Sequence, residues 1–518
     1  MPQYTRQNVW KNGGDFDDPV ILAYAQGVAG MKARALATPT SWRFYGAIHG
    51  FDPDLWQQLG YFDPNEPQPS DDLIAQFWKQ CQHGSWYFEP WHRGYLIALE
   101  ANIRAIVQQQ PNAPANWALP YWNYFNPNEN QLPPAFTRAD WPGDGPNPLY
   151  VAQRYGPNND GNVYVPVDQI NLDAMQDPDF TGVASGGSPG FGGVDTGFEH
   201  GGPVHGGIET QPHDYVHGLV GGADPNSPDP NNPNPGLMSD PDTAGLDPIF
   251  YLHHANIDRL WQVWRQNPSS HVDPPDPNWV DGPGNIQERI FAMPMPPNGD
   301  AWNYTPGQMS DFSTLDYTYD DLSPQVAVQP HRRLQLFGAA PELVKAQGAA
   351  PVPSGKNVEL MGASPTPLKL SGAGEVRTAV QLDTGVRQKV TQSFAAVPET
   401  AKEPDRVFLN LENVTGLNDS TAFQVYVGLP QGASPADHPE LRAGSIALFG
   451  VRKASLADDE HAGKGLTFVL EITKIVDALH LSNSFNLNSL DVRIVPVRPI
   501  PEGAKIQIGR VSIFRQGS

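Results

Sequence analysis

CQHGSWYFEPWHRGYLIALEANIRAIV, residues 81–107, and DPIFYLHHANIDRLWQVW, residues 247–264, each combine histidine with a long apolar pattern at helical spacing. In the first, Trp91, Tyr95, Leu96, Leu99 and Ile103 share one broad face. His83 and His92 would lie about two and a half turns apart on a single helix, with their rings aimed in different directions. Pro90 stands just before Trp91, so the sequence predicts that one helix ends near His83 and another carries His92. In the second stretch His253 and His254 are adjacent. On a helix they diverge by about 100°, and only one can reach a shared ligand directly. Asp258 follows His254 by one helical turn, placed to sit behind that ring or to brace the helix against Arg259.

Two further segments complete the pattern. PHDYVHG, residues 212–218, spaces His213 and His217 to share one helical face. His49 lies upstream, and with His83 and His92 it forms one group. His213 and His217, with one member of the 253–254 pair, form a second. Neutral imidazole is a common ligand for copper or zinc, so two such groups predict a dinuclear metal centre. His200, His205, His271, His331, His438, His461 and His480 are expected in loops or at the surface.

Composition bounds what surrounds such a centre. A chain of 518 residues predicts two or three domains, and 39% apolar residues suffice for their cores. With 50 Gly and 54 Pro but only 17% charged residues, much of the chain is expected as ordered loop. The net charge of -23 disfavours nucleic acid and anionic membrane surfaces as partners. No apolar run is long enough to predict a transmembrane span. Cys81 is the single cysteine, so no disulfide within the chain is possible. MPQYTRQNVWKNG shows no signal-peptide pattern, which favours a cytoplasmic location as the expectation.

Helices are predicted over residues 15–34, from Leu73 to His83, from about Trp91, and from Asp247 or Pro248. Residues 125–210 are dense in Gly, Pro, Asn and Asp, and so long an irregular stretch is expected to line or cover a site. A polar insert spans Ala223 to Gly236. After about residue 325 the texture changes. VFLNLENV (407–414), AFQVYVGL (422–429), LTFVLEITKIV (466–476), LDVRIVPV (490–497) and AKIQIGRVSIF (504–514) alternate and favour β-branched residues. The expectation is a multidomain chain. Residues 1–325 form a mainly α domain with a four-helix bundle around the metal pair. Residues 326–370 form a connection with some short strands, and residues 371–518 form an all-β, sandwich-like or barrel-like domain.

The first 325 residues closely resemble the type-3 copper proteins: the tyrosinase, polyphenol oxidase and catechol oxidase family, with molluscan-type haemocyanins. WHR at 91–93, LPYW at 119–122, Met238 ahead of DPIF, and the closing Tyr317-Thr-Tyr319 with Arg6 carry the resemblance. It implies two copper ions, one held by His49, His83 and His92 and the other by His213, His217 and His254, with His253 behind them. It implies a thioether crosslink between Cys81 and His83, which would fix that ring plane. Glu209 matches the family's water-orienting glutamate. Asp214 stands where many monophenolases carry asparagine; a carboxylate there could still accept from that water or serve as base. Gly218 leaves room above the second copper.

The implied activity uses O2 to ortho-hydroxylate monophenols and to oxidise o-diphenols to o-quinones. A catechol oxidase or o-aminophenol oxidase without the first step is the alternative, and a haemocyanin-like oxygen carrier a further one. A dinuclear hydrolase would bring bridging carboxylates, which these groups lack. Small phenols and O2 are the expected partners, with a homo-oligomer possible. The C-terminal region resembles the domain that covers the copper site in plant and fungal zymogens and inserts a side chain into its entrance. Which side chain does so is not legible in the sequence.

Overall fold

The computed structural model describes residues 2–111, 113–266, 271–284, 289–324, 357–400 (side chains to 395), 404–456, 463–481 and 488–517. The N-terminal part is helical where apolar spacing and capping agree. Asp18 accepts from Val20 N and opens α1 (Pro19–Lys32), with proline in the first turn. Ser41 opens α2 (Trp42–His49), which ends on His49 itself. α3 (Asp71–Phe77) stops at Trp78, whose backbone is extended, so the helix expected to reach His83 ends early. The chain instead turns onto the end of α2, where Lys79 N and Gln80 N donate to the carbonyls of Ala47 and Ile48.

α4 (Phe88–Val107) begins before Pro90, not after it. Proline fits there because first-turn amides have no helical acceptor to lose. A Cβ on Gly27 would overlap Ile103, which measures how closely α1 lies on α4. α5 (Tyr215–Gly221) is short and buried throughout. α6 (Pro248–Trp264) is capped by Asp247, which accepts from Ile249 N and also pairs with Arg154 at 2.6 Å.

The two ends of the helical part are clasped together. β1 (Tyr4–Arg6) reaches across to the far end, beyond a hairpin of β2 (Phe291–Met295) and β3 (Asp300–Tyr304). There it pairs in parallel with β4 (Tyr317–Tyr319). Arg6 stacks 3.9 Å over the Tyr317 ring and donates to Glu100 at 2.8 Å and to Asp258 at 3.1 Å. Asp258 also accepts from Arg93 at 2.5 Å, from Tyr317 at 2.7 Å and from Tyr319. This corrects the sequence expectation for Asp258. Its partners are this clasp, not His254 or Arg259; Arg259 donates instead to Asn256 and to the carbonyl of Asp321.

The C-terminal part is an antiparallel sheet curled nearly shut. Its strands are β5 (Val358–Ala363), β6 (Leu368–Leu370), β7 (Val376–Leu382), β8 (Arg406–Thr415), β9 (Ala422–Val427), β10 (Arg442–Ala447), β11 (Leu466–Glu471), β12 (Ser489–Pro496) and β13 (Ile506–Gln516). They run β10-β9-β12-β7-β5-β13-β8-β11, with β6 also on β13. The end strands come side by side, since a Cβ on Gly444 of β10 would fall 2.7 Å from Leu470 of β11. Alternate residues point inward, as in the buried-exposed alternation of β11, and Leu409, Val425, Ile494 and Ile513 fill the interior.

Some sequence expectations shift here. β5 and β6 lie inside the stretch expected as connection, so the sheet begins at Val358. Residues 326–356, with His331, lie outside the described residues, as does His461. Two helices interrupt the strands, α7 (Thr384–Thr400) and, after the short α8 (Val451–Ala454), α9 (Thr473–Leu481). The run expected as one strand over 466–476 therefore breaks at Ile472, where Thr473 Oγ1 accepts from Val407 N and the chain turns helical. Among the described residues no helix is long and apolar enough to cross a membrane.

The sheet sits on the helical part. Ala422, Ala447 and Phe449 pack into the helical core. Thr467 N donates to Pro203 O at 2.7 Å, and Gln211 Nε2 donates to Ser445 O at 2.6 Å.

Candidate dicopper centre

Two histidine clusters meet at the centre of the helical part. His49 (end of α2), His83 (the segment between α3 and α4) and His92 (α4) cluster with Cys81. His213, His217, His253 and His254 form the other cluster, and within each group the ligand-type atoms lie within 4.8 Å of one another. The clusters adjoin, with His92 and His254 stacked at 4.2 Å between ring centroids and 13° between planes. His217 is on α5 and His254 on α6. His213, however, sits in a wide turn over Glu209–Asp214 that leaves helical geometry at Gln211 (φ -145°, ψ 123°). That break precedes His213: Asp214 (φ -57°, ψ -39°) and Tyr215 (φ -68°, ψ -40°) keep helical geometry, so the chain runs helically from His213 into α5 and the rings of His213 and His217 converge as the spacing predicts.

The hydrogen bonds on the far side of each ring decide which nitrogen is free. Nδ1 of His49 is 2.7 Å from Pro241 O, that of His92 2.8 Å from Phe88 O, and that of His217 2.8 Å from Met238 O. His213 Nδ1 is 2.9 Å from Asp214 Oδ1. All four partners accept, so each Nδ1 carries the proton and each Nε2 presents a lone pair. His254 Nε2 lies 3.2 Å from His217 Nε2 and 3.3 Å from His213 Nε2, and His49 Nε2 is buried without a partner. Burial lowers the basicity of these rings, that of His49 to about 4. Neutral imidazoles whose lone pairs converge in a dry site suit a borderline-soft cation, and the donor set fits copper.

Cys81 Sγ lies 3.5 and 3.6 Å from the two ring nitrogens of His83, which flank Cε1, and 3.4 Å from His92 Nε2. These contacts are consistent with a thioether-type linkage. His253 stacks on His213 (5.4 Å, 23°) and turns Nδ1 toward Tyr124 Oη at 3.3 Å, while its Nε2 is buried and unpartnered.

Glu209 is fully buried. Its two oxygens accept from Gly84 N at 2.9 and 3.0 Å, and one also from Gly206 N at 3.3 Å. Asp214 divides its oxygens between His213 and His205, the latter at 2.7 Å. His205 and His200 were expected in loops or at the surface, and both are buried beside the centre. His200 Nδ1 is 2.9 Å from Cys81 O. They belong to loop, but the C-terminal sheet covers that loop, and the local sequence carries no sign of the cover. His271 stacks on Trp264, and His438 is partly exposed beside Glu440.

The side chain at the entrance is Phe449. It stacks on His217 (4.3 Å, 27°) and lies 5.4 Å from His83 and 5.7 Å from His213 between ring centroids. Gly450 follows at φ 82°, a left-handed turn that glycine makes without strain and that aims Phe449 inward. A cavity of about 20 Å³ remains between Phe449, His83, His200 and His205, room for one water and not for a phenol. The space that Gly218 leaves is taken by the same sheet, since a Cβ there would fall 2.8 Å from Ala447. Behind Phe449, α8 is bolted down. Arg452 pairs with Asp240 at 3.1 Å, Asp52 at 3.2 Å and Asp419 at 3.6 Å, and Lys453 with Asp242 at 3.7 Å.

Two adjoining imidazole clusters on a helical scaffold define a dinuclear copper protein. Residues 39–267, which include all six histidines of the two groups, match the common central domain of tyrosinase, and residues 357–516 match a domain of unknown function, DUF7868. The chain belongs to the type-3 copper family of tyrosinases and polyphenol oxidases. It is 29% identical to tyrosinase HcTyr1 of Hahella sp. (strain CCB-MM4) over 99% of both chains. It is 30% identical to the latent chloroplastic polyphenol oxidase of Prunus armeniaca, over 51% of this chain and 41% of that one. The fold is similar to that of latent apple tyrosinase (TM-score 0.59, 22% identity, 99% and 97% of the two chains). It is also similar to that of latent aurone synthase (TM-score 0.60, 19% identity, 99% and 89%). The protein is a dicopper oxidase of this superfamily acting on phenolic compounds.

Proposed function

We propose that the protein ortho-hydroxylates monophenols and oxidises o-diphenols to o-quinones, in a form kept latent by its C-terminal part. The observation that carries this is the pair of converging imidazole groups with Phe449 seated in their common mouth. His49, His83 and His92 hold one copper, and His213, His217 and His254 the other. His254 is chosen over His253 because its Nε2 meets those of both His213 and His217, whereas His253 turns to Tyr124. When bound, the copper pair supplies the electrons that reduce O2 and recovers them from the phenol. The Nδ1 acceptors hold four of the six rings, those of His49, His92, His213 and His217, so that little reorganisation accompanies the change of oxidation state. Glu209, pinned by the amides of Gly84 and Gly206 beside His83, is positioned to orient the water that takes the phenol proton. Phe88 and Phe250 wall the site and exclude bulk water.

Similarity to a tyrosinase along nearly the whole of both chains supports the monophenolase step. One observation favours a second reading, o-diphenol oxidation alone: both oxygens of Asp214 are engaged by imidazoles, so Asp214 does not itself serve as base or hold that water. The C-terminal part, from Val358 onward, acts as a lid, and the helical part through about residue 325 as the catalytic domain. Oxygen uptake by copper-loaded Phe449→Gly protein, with L-tyrosine and with L-DOPA, tests the proposal. Turnover of both is expected. Turnover of L-DOPA alone would establish the second reading, and reversible O2 binding without turnover would mark a carrier.

A further inference from the structure

Three of the four anchored rings lean on main-chain carbonyls, those of Pro241, Phe88 and Met238, which secondary structure already fixes. His213 alone leans on a side chain, the carboxylate of its neighbour Asp214. A carboxylate holding one ring by one oxygen is free to rotate unless the other oxygen is also held. His205 Nδ1 holds it, 2.7 Å from Asp214 Oδ2. We propose that His205 is a positioning residue for the second copper, fixing Asp214 so that Asp214 keeps His213 turned with Nε2 toward the metal.

The placement of His205 supports this role. Its loop is wedged between the two halves of the molecule. Gly202 N donates to His83 O at 2.5 Å on one side, and Thr467 N of β11 donates to Pro203 O at 2.7 Å on the other. A Cβ on Gly202 would overlap Gly84, so the loop has no room to retreat. The His205 ring packs 6.2 Å from Phe468 of β11 and is 3% exposed, so bulk water does not compete with it for Asp214. An imidazole Nδ1–H donates to Asp214 Oδ2 whether the His205 ring is neutral or charged, so the contact fixes the carboxylate in either state. Through this chain of contacts β11 reaches His213, so the C-terminal sheet orders a metal ligand as well as covering the mouth.

The inference rests on His213 being a ligand of the second copper, and the test separates the two claims. Full-length His205→Leu and His205→Asn are loaded with copper and titrated with a competing chelator. Asparagine can set its amide nitrogen near the place of Nδ1, and leucine cannot donate. One of the two coppers is expected to bind about 10–100-fold more weakly in the leucine variant, with the other unchanged and the asparagine variant largely restored. Two coppers at wild-type affinity in His205→Leu would overturn the proposal, as would equal losses in both variants. If the leucine variant does not fold, His205→Gln, whose amide sits one bond further out, takes its place: a weakened second copper is expected, and wild-type affinity overturns the proposal. His213→Ala is the control for the underlying assignment. Retention of both coppers there would refute the ligand reading itself, whatever His205 does.

Discussion

Asp258 shows at the scale of one residue how spacing can mislead while chemistry does not. Its position one turn after His254 pointed to the metal, but the carboxylate turns to two buried guanidinium groups and two tyrosines. Removing a partner from a buried ion pair costs about 3–5 kcal/mol, so Asp258→Asn is expected to destabilise the fold by that order while leaving copper stoichiometry unchanged. Burial pushes the Asp258 carboxyl up, but Arg93 and Arg6 outweigh it and hold it below its ordinary value. Its stabilisation is therefore complete above the unfolded-state value, about 3.9, and is lost as pH falls through the lower folded value. Denaturant unfolding of both proteins from pH 7 down to pH 3 checks this. The gap between them should narrow at the acid end, and a gap independent of pH would refute the role of the charge. The same scale settles the adjacent histidines: His254→Ala should lose one copper of two and His253→Ala should keep at least part of both by metal analysis, and equal loss would reverse the assignment. For Cys81, the copper-loaded chain should be lighter than its sequence mass by two hydrogens, with one peptide containing Cys81 joined to His83. An unshifted mass with a titratable thiol would leave Cys81 a buried hydrophobe.

At the scale of elements, what the sequence shows well is whatever depends on local periodicity. α1, α4 and α6 follow their apolar faces, and β8, β9, β12 and β13 their alternation. The two histidine clusters were legible because ligand chemistry restricts residue type strongly. What was not legible depends on contacts distant in the chain. α3 ends early because Lys79 and Gln80 find acceptors on α2, and His205 is buried only because β11 lies over it. Phe449 belongs to the same class, since an aromatic before glycine at the end of β10 is ordinary until the sheet docks. Its function makes a prediction about the element that carries it. α8 holds Phe449 down through Arg452, which faces Asp52, Asp240, Asp242 and Asp419. Arg452→Met keeps much of the apolar stem and removes the cation. It is expected to raise kcat/KM for L-DOPA in the full chain, with Phe449→Gly raising it further, by about tenfold or more, equivalent to ~1.4 kcal/mol of barrier. Steady-state kinetics at matched copper content measures this, and unchanged rates in both variants would mean that Phe449 does not gate the site.

At the scale of the whole molecule, the question is whether the proposed lid is held by the chain connection or by its own interface. The contacts favour the interface. β11 is hydrogen-bonded to Pro203, β10 accepts from Gln211, and Arg406 pairs with Asp177 at 2.9 Å. Arg498 donates to the carbonyls of Gly156 and Pro157, and Ala422, Ala447 and Phe449 are buried in the helical core. Apolar burial of this kind persists after a backbone cut, because it depends on area removed from water and not on connectivity. A protease site introduced between residues 330 and 356 leaves β5 intact, and cleavage there is expected to change neither the elution volume nor kcat/KM for L-DOPA. Mild detergent, which competes for the apolar contacts, should then separate the two pieces and raise activity, while the uncut chain under the same detergent should gain activity but revert on dilution. A rise in activity on cutting alone would show that the connection restrains the lid. No rise after complete separation of the pieces would show that the C-terminal part stabilises the copper centre without gating it.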